Sequence, residues 1–339
     1  MKALRIEGVQ QARLTDIPLP EPGPGMVRLR VRHVGLCGSD LNTYLGRNPL
    51  VSLPRVPGHE IGGIIDAIGA DVPDTLRAGM TALVLPYTTC GVCPACRVGR
   101  TNACRDNRTL GVQQEGGLSE AIVLPHDRLI PEDRLAAPAL ALVEPLAVGF
   151  HAVARAQPQP GEWVAVVGCG MIGMGALIAA VDCGARAIAI DLSAAKLDVA
   201  RQLGATAVVQ AGTDDVAEAV SALTDGDGVA VALEAVGRPE TFRQVVELTA
   251  PAGRVVFVGY SKAPVSFDTS LFNLRELDLF GSRNATRRDF AAAADWLAAH
   301  PSQADGLISR VFPMAEAEAA LPWWVANPDS LKVLVEVSA

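Results

Sequence analysis

An uncharged segment of nineteen residues, Trp163 to Val181, constrains the fold of this 339-residue chain more than any other feature. It begins with the β-branched run WVAVV and continues through Gly168, Gly170 and Gly173 into an apolar stretch. A strand that ends in a glycine turn and leads directly into a helix is typical of a dinucleotide-binding βαβ unit. The segment is long enough to cross a membrane. Its four glycines and β-branched start favour a buried strand, a turn and a buried helix over a membrane span.

The glycines occupy the three positions of a GxGxxG motif. Gly168 allows a tight turn, Gly170 lets the backbone approach a pyrophosphate, and Gly173 lets the helix pack closely on the strand. The next strand ends at Asp191, eighteen residues after Gly173. An acidic residue there accepts hydrogen bonds from ribose hydroxyls and repels a 2′-phosphate. The motif predicts NAD rather than NADP. The alternative is that the glycines serve helix packing and Asp191 caps the next helix.

Strand and helix patterns alternate through the whole region around this motif. Strands are predicted at Val164–Val167, Ala187–Ile190, Ala207–Val209, Val229–Glu234, Arg254–Val258 and Leu277–Phe280. Helices are predicted at Met171–Cys183, Ala194–Leu203, Val216–Leu223 and Thr241–Leu248. Such alternation requires crossover connections, so it predicts an α/β domain with a doubly wound parallel sheet covered by helices.

The first 150 residues have a different pattern of hydrophobic and turn residues. Short Val, Leu and Ile runs at Met26–Val34, Ile61–Ile68 and Met80–Leu85 are separated by turn residues, and Pro18 to Gly25 reads as an extended connector. This pattern predicts a mainly β domain. The C-terminal tail shows a helix over Arg288–Ala299, another near Met314–Trp324 and a last strand at Lys332–Val337. The tail is short for a domain of its own, so we expect it to pack onto the first domain.

The seven cysteines are unevenly distributed. Cys90, Cys93, Cys96 and Cys104 lie within fifteen residues of a loop that is rich in Gly and Pro. Four thiolates at this spacing are typical of a closed, structural zinc site. Cys169 and Cys183 lie in the nucleotide-binding region and are interpreted as small packing residues.

A second set of potential metal ligands is dispersed along the chain. Cys37 lies in GLCGSD, His59 and Glu60 lie in PGHE, and Glu144 lies in LVEPLAVG. A catalytic zinc needs about three protein ligands and one open position. Each residue also has a structural explanation: Cys37 as a small buried side chain, His59 as a turn residue and Glu144 as a helix cap. Only their combination favours a metal.

Charge and composition exclude several classes. Lys and Arg total 29 against 37 Asp and Glu, a net charge of −8, which argues against nucleic acid or an anionic membrane as the main partner. Half of the residues are hydrophobic, which excludes a disordered chain. The start, MKALRIEGVQQARLTD, has no apolar core of a secretory signal. We therefore expect the cysteines to be reduced and the protein to be cytoplasmic.

Taken together, these motifs resemble a known family. Gly58-His59-Glu60-x2-Gly63-x5-Gly69-x2-Val72 is similar to the signature of zinc-dependent medium-chain dehydrogenases, the alcohol dehydrogenase superfamily. The runs EPLAVGFHA, CGSD and DLSAAKL are most similar to its polyol branch, which includes sorbitol dehydrogenases. The resemblance implies a GroES-like catalytic domain over 1–155 and 284–339, with a structural zinc lobe at 88–106. It implies a Rossmann NAD-binding domain over 156–283.

The resemblance also implies roles for individual residues. Cys37 and His59 are expected catalytic zinc ligands. Glu60 and Glu144 are expected at the metal, either directly or through its bound water, and which of the two binds the zinc directly stays open. Ser39 resembles the relay hydroxyl that passes a proton outward. Further residues are expected at the cofactor: Met171, Ile172, Lys196, Val236, Val258, Gly259, Ser282, Arg283 and Asn284.

One position departs from the family. Many relatives carry a histidine where this chain has Asn42, and an amide cannot take up a proton at neutral pH. We expect Asn42 to hydrogen-bond a substrate hydroxyl beside Tyr44. The alternative is that Asn42 only caps the following turn.

The resulting prediction is an enzyme that moves a hydride between NAD and a secondary hydroxyl of a polyol, sugar or sugar acid, giving a ketone. It would hold two zinc ions, of which the catalytic one acts as a Lewis acid on the hydroxyl. We expect it to form a homodimer or homotetramer. The alternatives are an L-threonine 3-dehydrogenase or simple secondary alcohol dehydrogenase, and, from another class, a zinc- and nucleotide-binding protein without turnover.

Overall fold

A computed structural model describes residues 1–338 of the chain. It divides into two compact units, one made of 1–144 and the chain from Ala293 onward, the other running from Pro145 to Ala292. The domain limits given by the family resemblance, 1–155 with 284–339 and 156–283, stay a prediction.

Fifteen strands and twelve α-helices form in the described residues. The strands are β1 Lys2–Gly8, β2 Gln11–Asp16, β3 Met26–Gly35, β4 Glu60–Ile68, β5 Thr81–Val84, β6 Ala121–Pro125, β7 Leu129–Pro131, β8 Trp163–Val167, β9 Arg186–Asp191, β10 Ala207–Gln210, β11 Val229–Glu234, β12 Thr249–Phe257, β13 Asp278–Gly281, β14 Ile308–Pro313 and β15 Lys332–Glu336. The helices are α1 Gly38–Tyr44, α2 Pro94–Arg97, α3 Ala137–Leu140, α4 Val143–Ala156, α5 Met171–Asp182, α6 Ala194–Gln202, α7 Val216–Leu223, α8 Pro239–Leu248, α9 Ser270–Leu274, α10 Arg287–Ala299, α11 Pro301–Gly306 and α12 Ala320–Ala326. Short 3₁₀ turns lie at Thr101–Ala103, His126–Arg128 and Met314–Ala319.

The first unit is built on a seven-stranded sheet in the order β14-β15-β3-β4-β5-β7, with β6 also paired to β3 and a separate β1-β2 hairpin. Val27, Leu29 and Val31 alternate with polar residues along β3 and are fully buried in the core of this unit, as expected for a sheet with one buried face. The C-terminal strand β15 pairs with β3 in antiparallel orientation, with Val335 opposite Val34. Strand β15 therefore belongs to the sheet of the first unit.

The second unit contains six parallel strands in the order β10-β9-β8-β11-β12-β13. The order of the strands along the chain reverses between β8 and β11, and in such sheets ligands bind at the carboxyl ends of the strands beside this point. Residues Val164–Val167 of β8 are buried, as expected for a central parallel strand covered on both faces. The predicted fold class, a mainly β domain with a doubly wound parallel sheet, is confirmed.

One local prediction needs correction, and one element was not predicted. The helix predicted near Met314–Trp324 is a 3₁₀ turn followed by α12. A continuous α-helix would need an N–H from Pro322 to the carbonyl of Glu318, and proline has none. The β1-β2 hairpin was not predicted, because its strands mix charged and apolar residues without long hydrophobic runs.

The membrane alternative for the uncharged segment finds no support. Residues Trp163–Val167 are a strand and Met171–Asp182 a helix of twelve residues. Among residues 1–338, no helix has the length and apolar character that a membrane span requires.

Candidate active site

Three potential metal ligands converge where β3 ends and β4 begins. Cys37 is the N-cap of α1, directly after β3, and His59 and Glu60 lie at the start of the neighbouring strand β4. One ligand atom from each of the three lies within 4.8 Å of the others, and His59 and Glu60 are buried. A thiolate, an imidazole and a carboxylate are the donor types that zinc prefers, so the set fits a zinc ion.

His59 is buried in negative surroundings. Burial opposes its charged form, but Cys37, Asp40 and Glu144 nearby raise the pKa of His59 well above its ordinary value. Its Nδ1 atom is buried and has no hydrogen-bond partner among the described residues. A cation is therefore favoured at this point, which agrees with a metal position.

Glu60 is held by a buried lysine from the other end of the chain. Lys332 Nζ lies 2.7 Å from Glu60 Oε1 and also contacts Oε2, while donating to the carbonyl of Leu36 at 3.0 Å. The side chains of Glu60 and Lys332 are 1% and 2% exposed. Lys332 therefore neutralises one of the two carboxylates of the site and fixes its orientation.

Glu144, the other candidate carboxylate, lies in the first turn of α4. The hydroxyl of Tyr87 donates a hydrogen bond to Glu144 Oε1, and both residues are buried. Burial and the charge of Glu144 raise the pKa of Tyr87 well above its ordinary value, with Cys37 and Glu60 contributing. Glu144 thus lies close to the Cys37 cluster, held by Tyr87 in the way that a second-shell partner orients a metal ligand.

The remaining predicted catalytic residues lie on α1. Ser39 Oγ is buried and has no hydrogen-bond partner within residues 1–338, so it is available for a relay. Asn42 is exposed, and its Nδ2 donates to the carbonyl of Gly38 at 2.8 Å, which leaves its Oδ1 and its second N–H for other partners. Tyr44 is buried in the hydrophobic core of the unit, which supports a packing role for most of its side chain.

The four-cysteine lobe contains a second group of potential metal ligands. The sulfur atoms of Cys90, Cys93, Cys96 and Cys104 lie within 4.8 Å of one another, and Cys93 Sγ is 4.0 Å from Cys104 Sγ. A tetrahedron with Zn–S bonds of about 2.3 Å has an edge of about 3.8 Å. Backbone hydrogen bonds at Arg105 and Cys96 lower the pKa of Cys93 to about 6, whereas burial raises the pKa of Cys96 to about 11. The donor set and its spacing fit a structural zinc.

The predicted dinucleotide site has the required glycine geometry. Gly168 has φ +96°, and a Cβ on Gly173 would overlap the carbonyl oxygen of Gly168. Gly170 is the N-cap of α5 and has no side chain to occupy the helix N-terminus. A Cβ at this position would meet nothing within 4 Å. Open space in front of helix N–H groups fits a pyrophosphate. Met171 and Ile172 form the first turn of this helix.

Asp191 at the end of β9 is anchored by two backbone groups. Its Oδ2 accepts from Cys169 N at 2.7 Å and its Oδ1 from Ser193 N at 2.9 Å. Each oxygen keeps a second lone pair for a ribose hydroxyl. Ser193, and not Asp191, caps α6 by accepting from the N–H of Lys196.

The other predicted cofactor residues follow the carboxyl ends of three parallel strands. Val236 follows β11, Val258 and Gly259 follow β12, and Ser282, Arg283 and Asn284 follow β13. Ser282 Oγ is buried without a partner in the described part of the chain. These ends share one edge of the sheet with the Gly168 turn, as the fold requires for a ligand site.

Sequence reasoning missed Lys332 and Tyr87. Lys332 begins an apolar strand, where a lysine normally indicates the solvent-exposed start. Tyr87 follows β5 with no motif around it, although it is one of only three tyrosines in the chain. Their partners are 272 and 57 residues away in sequence, so no local spacing indicates either pair.

Comparisons with known proteins agree with this geometry. The alcohol dehydrogenase GroES-like domain matches residues 23–134, and the zinc-binding dehydrogenase family matches residues 172–299. The L-galactonate-5-dehydrogenase of Escherichia coli K12 is 36% identical over 88% of this chain and 87% of its own length. The sorbitol dehydrogenase of Bacillus subtilis is 34% identical over 83% and 81%. The L-threonine 3-dehydrogenase of Bacillus subtilis is 32% identical over 79% and 78%.

Solved structures share the whole fold. An Escherichia coli CFT073 protein described as a short chain alcohol dehydrogenase, RspB, in complex with NADH has a TM-score of 0.91 at 28% identity, over 99% of each chain. A zinc-binding dehydrogenase from Sinorhizobium meliloti bound to NADP has a TM-score of 0.89 at 32% identity, again over 99% of each chain. The predicted family, fold, oxidoreductase activity and use of zinc with a nicotinamide cofactor are confirmed. The chain belongs to the zinc-dependent medium-chain dehydrogenases of the alcohol dehydrogenase superfamily.

Proposed function

We propose that the protein interconverts a secondary hydroxyl of a polyol, sugar or sugar acid and the corresponding ketone, with NAD as the hydride acceptor. The buried cluster of Cys37, His59 and Glu60, with Glu144 nearby, is the observation that carries the proposal. The four cysteines between Cys90 and Cys104 provide a separate closed site, so a structural zinc does not explain the first cluster.

The residues of the cluster have distinct tasks. Cys37 and His59 would hold the catalytic zinc together with Glu60 or Glu144. When bound, zinc lowers the pKa of the substrate hydroxyl and the nicotinamide ring takes the hydride. Ser39 would relay the hydroxyl proton: its buried, unpartnered Oγ would accept that proton while its own proton passes to the next acceptor. Since Asn42 cannot carry the proton onward, the relay leaves through water or a cofactor hydroxyl.

NAD is proposed over NADP because of Asp191. Its carboxylate lies at the end of β9 and is fixed by Cys169 N and Ser193 N, where its charge repels a 2′-phosphate. The Sinorhizobium relative bound to NADP shows that the fold also accepts the phosphorylated cofactor. The ratio of kcat/KM for NAD and NADP tests the choice, and a preference for NADP would contradict it.

The substrate class rests on the relatives and on Asn42. Relatives named for L-galactonate and sorbitol act on polyhydroxylated compounds. The free Oδ1 of Asn42 is proposed to accept a hydrogen bond from a second substrate hydroxyl. Asn42→Ala should then lower kcat/KM on polyols more than on simple alcohols. An equal loss on both classes would contradict this role.

A substrate panel tests the function itself. Polyols, sugar acids, L-threonine and simple secondary alcohols are each incubated with enzyme and NAD, and the absorbance of the reduced cofactor is followed before and after chelation. The proposal expects the highest kcat/KM on a polyhydroxylated substrate. A maximum on L-threonine or on a simple alcohol would favour those alternatives. Failure of every secondary alcohol would contradict the function.

The assembly and location are proposed on separate grounds. Strand β13 is the edge of the parallel sheet and pairs only with β12 in the described residues, and its Leu279 is 40% exposed. An exposed edge strand with an apolar side chain favours pairing with a second copy, so we propose a homodimer or homotetramer joined through this sheet. None of the seven cysteines, all within residues 1–338, forms a disulfide, which supports the proposal of a cytoplasmic location.

A further inference from the structure

A buried carboxylate lies at the carboxyl end of β11, outside the residues considered so far. Glu234 is the last residue of this strand and is fully buried. Its backbone continues the sheet: its carbonyl accepts from Val258 N at 2.9 Å and Gly259 N at 3.1 Å. Glu234 therefore sits among the strand ends where ligands bind in this fold.

One oxygen of Glu234 organises the loop that follows. Oε1 accepts hydrogen bonds from Val236 N at 2.9 Å, from Gly237 N at 2.7 Å and from the hydroxyl of Thr241 at 2.6 Å. Thr241 lies in the first turn of α8. A single acceptor thus fixes both the loop and the start of the next helix.

The other oxygen fixes the approach of a second loop. Glu234 Oε2 is buried without a hydrogen-bond partner in the described chain. A Cβ on Gly259 would overlap this oxygen and the N–H of Gly237. The turn after β12 therefore packs directly on the carboxylate and on the loop that the carboxylate holds.

The same loop contacts the glycine turn of the dinucleotide motif. A Cβ on Gly168 would lie 2.6 Å from Val236 Cγ2 and 3.1 Å from the carbonyl carbon of Ala235. The loop after β11 therefore contacts the turn after β8 through Ala235 and Val236, and the turn after β12 through Gly237 and the Glu234 carboxylate. Backbone hydrogen bonds join the strand ends, from Ala235 N to the carbonyl of Val167 and from Val258 N and Gly259 N to the carbonyl of Glu234. The carboxylate adds the contacts that hold Val236 and Gly237 beyond the end of β11.

We infer that Glu234 is a positioning residue for the dinucleotide: its Oε1 locks the Val236–Gly237 loop against the Gly168 turn and so shapes the surface that receives the cofactor. This inference rests on the proposed function, because it requires a nicotinamide cofactor at these strand ends. Glu234 does not touch the reacting atoms. Its removal should weaken cofactor binding without requiring a change at the metal ligands.

Two substitutions separate this role from general stability. Glu234→Gln keeps an oxygen for the three donors, whereas Glu234→Leu keeps the approximate volume and removes the acceptor. The matched control is Glu162→Leu. Glu162 also adjoins a strand end of this sheet and binds Arg254 Nη2 at 2.6 Å, but it precedes β8 and so lies at the opposite edge.

The measurement is the Kd of NADH by fluorescence titration, together with the Tm of each variant. We expect Glu234→Leu to raise the Kd about tenfold or more, since three donors lose their acceptor. Glu234→Gln should stay within about threefold of the wild type, because Oε1 is retained. Glu162→Leu should lower Tm and leave the Kd unchanged.

The outcomes that overturn the inference are distinct from those that overturn the function. A folded Glu234→Leu protein that binds NADH as tightly as the wild type contradicts the inference alone, as does a Glu162→Leu protein with an equally raised Kd. If Glu234→Leu fails to fold, Glu234→Asp withdraws the acceptor from Val236 N and Gly237 N by one methylene group, and an unchanged Kd for that variant contradicts the inference. A wild-type protein that binds no NADH contradicts the proposed function itself.

Discussion

At the scale of single residues, Glu60 and Lys332 form a buried ion pair in the first unit. Both side chains are almost completely buried, so each charge depends on the other. Removing one partner of such a pair leaves an uncompensated charge in a medium that solvates it poorly. The pair also keeps Glu60 in place beside Cys37 and His59.

Lys332→Met should therefore lower the free energy of unfolding by about 3–5 kcal/mol. Urea denaturation of the zinc-loaded protein measures it. Lys2→Met is the matched control, because Lys2 forms an exposed ion pair with Asp16 and should lose no more than about 1 kcal/mol. Equal losses for the two variants would show that burial of the Lys332 pair carries no special weight.

Sequence reasoning at the residue scale succeeds where ligands are close together or belong to a motif. The four cysteines between Cys90 and Cys104 are recognisable from spacing alone. Cys37 and His59 become interpretable through the family resemblance, and the structure brings their ligand atoms within 4.8 Å. Lys332 could not be predicted, because its partner lies 272 residues away and a lysine at the start of a strand normally faces solvent.

At the scale of elements, a buried hydrogen-bond network joins α4 to the start of α10 within the second unit. Asp289 Oδ2 lies 2.9 Å from His151 Nδ1 and accepts from the N–H of Thr286 at 2.8 Å and from its hydroxyl at 2.6 Å. Burial alone would raise the pKa of Asp289, but the hydrogen bonds from His151 and Thr286 lower it below the ordinary value of 3.8.

This network predicts a pH-dependent contribution to stability. A carboxyl group with a lowered pKa in the folded state stabilises the protein above its unfolded pKa, and this contribution is lost as the pH falls through the lowered value. The stability difference between wild type and Asp289→Asn should be full at neutral pH and shrink below 3.8. Thermal unfolding from neutral to acidic pH measures it. A difference that stays constant down to acidic pH would contradict the assignment.

The edge strand β13 carries the prediction on assembly. Leu279→Lys places a charge on the exposed edge of the parallel sheet, and edge charges prevent strand pairing. We expect this variant to be monomeric in analytical ultracentrifugation. Val311→Lys is the matched control, because Val311 is also 40% exposed and lies on β14, the edge of the other sheet. An assembly unchanged by Leu279→Lys would exclude this edge as the interface.

Element prediction follows the strength of local patterns. The strands and helices from β8 to α8 are apolar or amphipathic over their whole length, and the predicted bounds fall within a few residues of the structure for most of them. The next strand, β12, is longer than predicted: it begins at Thr249 and runs through the sequence PAG before the apolar run that starts at Arg254. Thr249 pairs with Val229 of β11, and after a register shift the pairing with β11 resumes, and that with β13 begins, at Arg254.

At the scale of the whole molecule, the chain combines two clusters of potential metal ligands in one unit with a dinucleotide fold in the other. Of the seven cysteines, four form the group that we propose for a structural zinc, and Cys37 belongs to the group that we propose for a catalytic zinc. Burial raises the pKa of Cys169 to about 12, which fits a packing role. The central claim is that the cluster at Cys37 binds a second, catalytic zinc.

Zinc content per chain, measured by mass spectrometry of the native protein, tests this claim most directly. The wild type should contain two zinc ions, and Cys37→Ser should contain one and show no dehydrogenase activity. Cys183→Ser, which removes a thiol outside both clusters, should keep two. A Cys37→Ser protein that retains two zinc ions, or a wild type that contains only one, would contradict the account.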